Sequence, residues 1–193
     1  MRAACCEATV LRNEVIAPDI RLLTVVWPDR DHAPHAGQFF TLRAWGADEA
    51  PFLSRPISVH RWNPDSSTIE FLYQVVGEGT EKIAQLKMKD TFQLTGPMGN
   101  GFDVPDILSK YKKIAVVGGG IGTAPMFLTV HILFCCSQLN YDSIGWNKNQ
   151  ALFAKILKKS FQSWPGRLCR RGGEAGEGWE LKGYRCPFFI GVL

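Results

Sequence analysis

A chain of 193 residues, 46% of them hydrophobic and 21% charged, has room for one large domain or two small ones and an ordinary soluble composition. The formal charge of +4 is too mild to argue for nucleic acid, and the base lies late: 9 of 22 Lys and Arg follow residue 136, against 4 of 18 Asp and Glu. Six cysteines (Cys5, Cys6, Cys135, Cys136, Cys169 and Cys186) include two adjacent pairs, which suit neither a secreted disulfide framework nor a CxxC metal site. Reduced thiols and a cytoplasmic location are the expectation, because MRAACCEATV meets Glu7 before any apolar signal segment develops.

In chain order, short β-rich runs come first, separated by turn residues and without a long helical period. The expected strands are Glu7–Val15, Ile20–Trp27, Gln38–Arg43, Pro56–Arg61, Thr68–Val76 and Thr91–Thr95. Six antiparallel strands can close a small barrel. Alternation is clearest in the fifth run, where Ile69, Phe71, Tyr73 and Val75 share one face and Glu70, Leu72 and Gln74 the other. The first face belongs to the core and the second to solvent or a ligand. Thr80–Leu86 is the one good helical segment before residue 100, and it follows Gly77-Glu78-Gly79 directly.

From Lys112 the pattern changes to a short apolar run, a glycine turn at Gly118–Gly122 and an apolar helical stretch from Thr123. Strand, tight turn and helix form the first unit of a nucleotide-binding α/β domain. Ala115–Cys136 also runs 22 residues without a formal charge, but the glycines and Pro125 in its first half argue against a membrane span. The expected domains are therefore a barrel over 1–103, the start of an α/β domain over 111–136, and a divergent, poorly ordered tail over 137–193. Asn149–Phe161 could form a basic amphipathic helix, whereas Trp164–Gly183 has no period.

Four motifs carry the chemistry. Arg55-Pro56-Ile57-Ser58 offers a guanidinium fork for a pyrophosphate and a hydroxyl for a ring edge; its plain alternative is a surface Arg beside an edge-strand proline. Gly77-Glu78-Gly79-Thr80 brings backbone N–H groups and a helix N-terminus to a phosphate, or is simply a strand-to-helix turn capped by Thr80. Gly96-Pro97-Met98-Gly99-Asn100-Gly101-Phe102 is a domain-linking turn, with or without a cofactor contact. Gly118-Gly119-Gly120-Ile121-Gly122-Thr123-Ala124-Pro125-Met126 lies where a dinucleotide would sit.

In this order the motifs resemble the ferredoxin-reductase-like flavoproteins, and specifically the electron-transfer subunit of dihydroorotate dehydrogenase, over about Val10 to Met126. The resemblance implies a six-stranded antiparallel FAD-binding barrel followed by a truncated nucleotide-binding α/β domain. It implies that Arg55 holds the FAD pyrophosphate, that Pro56, Ile57 and Ser58 line the isoalloxazine, and that Leu72, Tyr73 and Gln74 contact the flavin and its ribityl or adenosine side. Gly79 and Thr80 would bind phosphate, and Gly118, Gly119, Gly120 and Gly122 would face NAD(H). It further implies an oxidoreductase passing electrons through FAD and a [2Fe-2S] cluster to a dihydroorotate dehydrogenase catalytic subunit in pyrimidine synthesis, with no nucleic-acid or membrane partner. A reductase subunit for another acceptor, of the sulfide dehydrogenase or ferredoxin reductase type, and a fragment without enzymatic role are the alternatives.

The pattern departs from that family after Met126. No cluster-type cysteine spacing follows, so Cys135, Cys136, Cys169 and Cys186 are expected to be incidental thiols and no metal is expected. The nucleotide site is expected to be weak, since only its first strand and helix are legible. The change is that of a shifted reading frame or of a genuinely divergent tail.

Overall fold

The computed structural model describes residues 3–111, 114–116, 118, 120–136 and 189–190. Its main body is one antiparallel sheet of seven strands: β1 (Ala4–Ala17), β2 (Ile20–Val26), β3 (Phe39–Arg43), β4 (Arg55–Ser58), β5 (Arg61–Asn63), β6 (Thr68–Gln74) and β7 (Thr91–Met98). The spatial order is β4-β3-β7-β1-β2-β6-β5, so the two edges of this curled half-barrel are consecutive in the chain.

That order explains the strand count, seven where the sequence suggests six. The run from Pro56 to Arg61 splits at Val59-His60 because its halves pair with different neighbours. Ser58 stands opposite Phe39, and Arg61 opposite Glu70. The backbone N–H groups at the joint divide in the same way: Val59 donates to Gln38 O, and His60 to Glu70 O. Hydrophobic alternation cannot reveal such a change of partner, since both halves keep the extended backbone.

The long β1 has register shifts between Val10 and Arg12 and between Val15 and Ala17. Bulges of this kind increase local twist and let a strand curl. Inside the curl, Val10, Leu23, Val25, Trp27, Phe40, Leu42, Ile69, Phe71 and Leu94 are fully buried. Phe40 meets Trp27 and Phe71 edge-on at centroid distances of 5.0 and 5.8 Å. Each such side chain contributes roughly 1.5–3 kcal/mol by leaving water.

Helix α1 (Glu78–Gln85) follows β6, with Glu78 and Glu81 in its first turn, where the helix dipole favours acids. Its C-terminal carbonyls are capped from β1: Asn13 Nδ2 donates to Ile83 O and Leu86 O at 2.9 and 3.2 Å. Helix α2 (Val104–Lys110) occupies the expected boundary region, started by Asp103, whose carboxylate accepts from the Asp106 N–H at 3.0 Å. Beyond it lie β8 (Ala115–Val116), a 3₁₀ turn (Gly120–Thr123) and α3 (Met126–Cys136). Residues Phe189–Ile190 form β9, parallel to β8. A parallel neighbour is what an α/β domain requires, but a two-residue strand shows no period in the sequence.

Candidate functional site

Two of the four motifs meet where the start of β4 lies against the first turn of α1. Arg55 lies against Gly79: a side-chain carbon built on that glycine would fall 2.9 Å from Arg55 Cδ and 3.0 Å from Nε. Glycine is thus required so that the arginine can cross the first turn of α1. The guanidinium is steadied by Leu53 O, which accepts from Nε at 3.1 Å and also from Nη2. The first-turn N–H groups of Glu78, Gly79 and Thr80 are those that no helical carbonyl can reach. A fixed cation beside free N–H donors suits an anion such as a pyrophosphate.

Thr80 is buried and its hydroxyl is engaged locally, donating to Gly77 O at 2.8 Å and accepting from the N–H groups of Val76 (2.9 Å) and Gly77 (3.1 Å). It shapes the turn, and its backbone is what remains for a ligand. Pro56 is exposed, Ile57 packs partly into the core, and Ser58 is half-buried. Tyr73 points inward. Its hydroxyl donates to Asn13 Oδ1 at 3.2 Å, and burial pushes its pKa up to about 12 despite that bond. Leu72 is buried against Ile20 and Ala124, whereas Gln74 is exposed. The second face of β6 therefore packs at Leu72 onto the segment carrying the fourth motif.

The third motif is held by packing. A carbon on Gly96 would lie 2.4 Å from the Phe40 ring; Gly101, at φ +67°, leaves room for Ala36 O; and Phe102 covers Gly37. Gln38 completes this latch, its Nε2 donating to Gly99 O at 2.7 Å.

In the fourth motif Gly118 is tight against Thr123, and Gly120 has φ +53° with open space where a Cβ would stand. Gly122 is half-buried in the 3₁₀ turn, and Gly119 lies outside the described residues. The structure joins this turn to the barrel through His60, which motif reading missed. His60 Nδ1 donates to Ala124 O at 2.8 Å, and its ring lies tilted against that of Phe127, centroids 4.8 Å apart. Burial lowers its pKa to about 4, the Ala124 bond opposing and Arg61 adding. A lone histidine two residues past a motif carries no sequence signal; only the β4–β5 joint gives it a role.

A groove of about 350 Å³ lies between the β1–β2 hairpin and α1, lined by Val15, Asp19, Arg21, Glu81 and Gln85 among others, and holds none of the expected cofactor residues. The Arg55–Gly79 contact, by contrast, sets a cation beside a helix N-terminus. Among the described residues no cluster of His, Cys, Asp and Glu could hold a metal, and no helix is long and apolar enough to cross a membrane. Cys169, Cys186 and the side chains of Cys135 and Cys136 lie outside the described residues, as do the segments 149–161 and 164–183.

A curled antiparallel half-barrel followed by strand, glycine turn and helix is a ferredoxin-reductase-like fold. A ferredoxin NADP+ reductase from Neisseria gonorrhoeae, solved with bound FAD and NADP, matches 80% of this chain and 63% of its own at a TM-score of 0.61 and 20% identity, which shows the fold. No family model matches the chain. In sequence the chain is a homologue of the electron transfer subunits of dihydroorotate dehydrogenase B. It is 50% identical over 101 residues to that of Clostridium acetobutylicum, covering 52% of this chain and 38% of the relative. To that of Caldanaerobacter subterraneus subsp. tengcongensis it is 40% identical over 150 residues, 78% of this chain and 56% of the relative. That second match is longer than the stretch from about Val10 to Met126 over which the resemblance is expected. The chain thus spans about half or less of the length of these relatives.

Proposed function

We propose that this chain is an FAD-binding electron-transfer subunit, taking electrons from a nicotinamide nucleotide and delivering them to a dihydroorotate dehydrogenase catalytic subunit in the cytoplasm. The observation that carries the reading is the Arg55 side chain lying over Gly79 at the head of α1. In a chain homologous to electron transfer subunits, that contact fits the pyrophosphate of a dinucleotide cofactor.

Bound FAD would supply hydride acceptance and one-electron release, chemistry that belongs to the cofactor. The protein's part is position and electrostatics. Arg55 with the N–H groups of Gly79 and Thr80 holds the pyrophosphate. Pro56, Ile57 and Ser58 would line the flavin, Gln74 would offer the exposed end of β6 to it while Leu72 and Tyr73 shape the strand behind from buried positions, and His60, bonded to Ala124, would steady the glycine turn expected to face the nicotinamide nucleotide. No protein acid or base is required. Among the described residues no cluster of side chains fits a [2Fe-2S] centre.

The test is the pure chain with excess FAD. A stable yellow complex that co-purifies with a dihydroorotate-oxidising flavoprotein supports the reading. A chain that is folded by circular dichroism yet stays colourless refutes it.

A further inference from the structure

We propose that Phe52, with Leu53 beside it, is the platform on which the adenine of FAD stacks, and that the loop carrying them selects FAD over FMN. The inference rests on the FAD reading above. Strand β4 sets the direction: Arg55 stands at its start, and its far end runs through Val59 into His60, which is bonded to Ala124 beside the glycine turn. A flavin ring that meets a nicotinamide at that turn must lie toward Ser58. The adenosine half, on the other side of the pyrophosphate, must then lie toward the residues before Arg55.

Those residues present an apolar surface where solvent would otherwise be expected. Phe52 is 84% exposed and Leu53 67%, and Phe52 is the one aromatic among the large apolar side chains exposed in the described residues. The loop is nevertheless pinned. Arg43 donates to Phe52 O, Gly46 O and Ala47 O at 2.8–2.9 Å, and Trp45 Nε1 donates to Pro51 O at 2.7 Å. Lys82 of α1 reaches across to Glu49 at 3.0 Å, tying the loop to the helix that flanks Arg55. Four hydrogen bonds and an ion pair thus hold a loop that carries two apolar side chains in water. Two side chains make a patch far smaller than the roughly 800 Å² per partner of a stable protein interface, and the same loop carries charge at Arg43 and at the Glu49–Lys82 pair.

Stacking on an aromatic side chain contributes about 1–3 kcal/mol per base. Phe52→Ala should therefore weaken FAD roughly 5- to 150-fold while leaving FMN within about twofold, both read by flavin fluorescence titration. ADP should compete with FAD on the wild-type chain and lose that ability in the variant. Phe52→Trp should keep FAD affinity and report the site directly, its fluorescence quenched by ADP. An unchanged FAD-to-FMN ratio in Phe52→Ala, or no quenching of Phe52→Trp by saturating ADP, would overturn the platform while leaving the FAD reading intact. That result would turn attention to a protein partner for the patch. A wild-type chain binding neither flavin would overturn both.

Discussion

The contact between Arg55 and Gly79 makes a prediction that separates binding from folding. In Gly79→Ala the new methyl would lie 2.9 Å from Arg55 Cδ, closer than side-chain carbons come, and a tight 3.0 Å from Cγ and Nε. The atoms it meets belong to a flexible side chain, so the arginine swings away and the backbone stays. Because alanine is the better helix former, stability should change by no more than about 1 kcal/mol. FAD should nonetheless lose the charge-assisted hydrogen bonds of Arg55, about 1.5–3 kcal/mol, or roughly 10- to 150-fold in Kd. Arg55→Ala should cost a similar amount. The double variant should be no worse than either single one by more than about 0.5 kcal/mol, since both remove one interaction. Isothermal titration of FAD against the four proteins, with urea denaturation beside it, completes the cycle. Strict additivity, or wild-type affinity in Gly79→Ala, refutes the reasoning.

Gly96→Ala should behave in the opposite way. The Phe40 ring 2.4 Å from the added carbon is fully buried between Trp27 and Phe71, so overpacking costs about 1–3 kcal/mol of stability in urea. His60 makes folding pH-dependent. It is neutral in both states above its ordinary 6.5, and below that only the unfolded chain takes the proton, so stability falls until pH reaches the folded value of about 4. The loss totals up to roughly 3 kcal/mol. Denaturation midpoints over that range should fall more steeply in the wild type than in His60→Gln, and parallel curves would exclude His60 as the cause. Anaerobic reconstitution with iron and sulfide should give no stoichiometric [2Fe-2S] signal by electron paramagnetic resonance; a signal lost in Cys135→Ser or Cys169→Ser would reverse that expectation.

The barrel was legible because its strands alternate against one core, and the motifs because glycine and proline cannot be hidden. What escaped the sequence is long-range. Nothing local says that Val59 and His60 change partners, or that the second face of β6 meets Ala124 through Leu72. The third motif shows the limit most plainly: its glycines answer to Phe40, Phe39 and Ala36, contacts that only the folded chain defines. Likewise Tyr73 sits in a ligand-type motif yet sends its hydroxyl to Asn13, sixty residues away.

The strand order also governs how the chain can fold. Strand β7 is the last of the sheet to be made, yet it lies between β3 and β1, joining Ala4 to Gly96 on one side and Leu42 to Leu94 on the other. Until residue 98 has left the ribosome, the β3–β4 hairpin has no sheet to join and β1 keeps an open edge, a template for pairing with other chains. Such distant pairings make slow folding the rule. A nascent or clipped chain ending before Thr91 should be captured by chaperones or aggregate, whereas one reaching Phe102 holds every strand that the barrel requires.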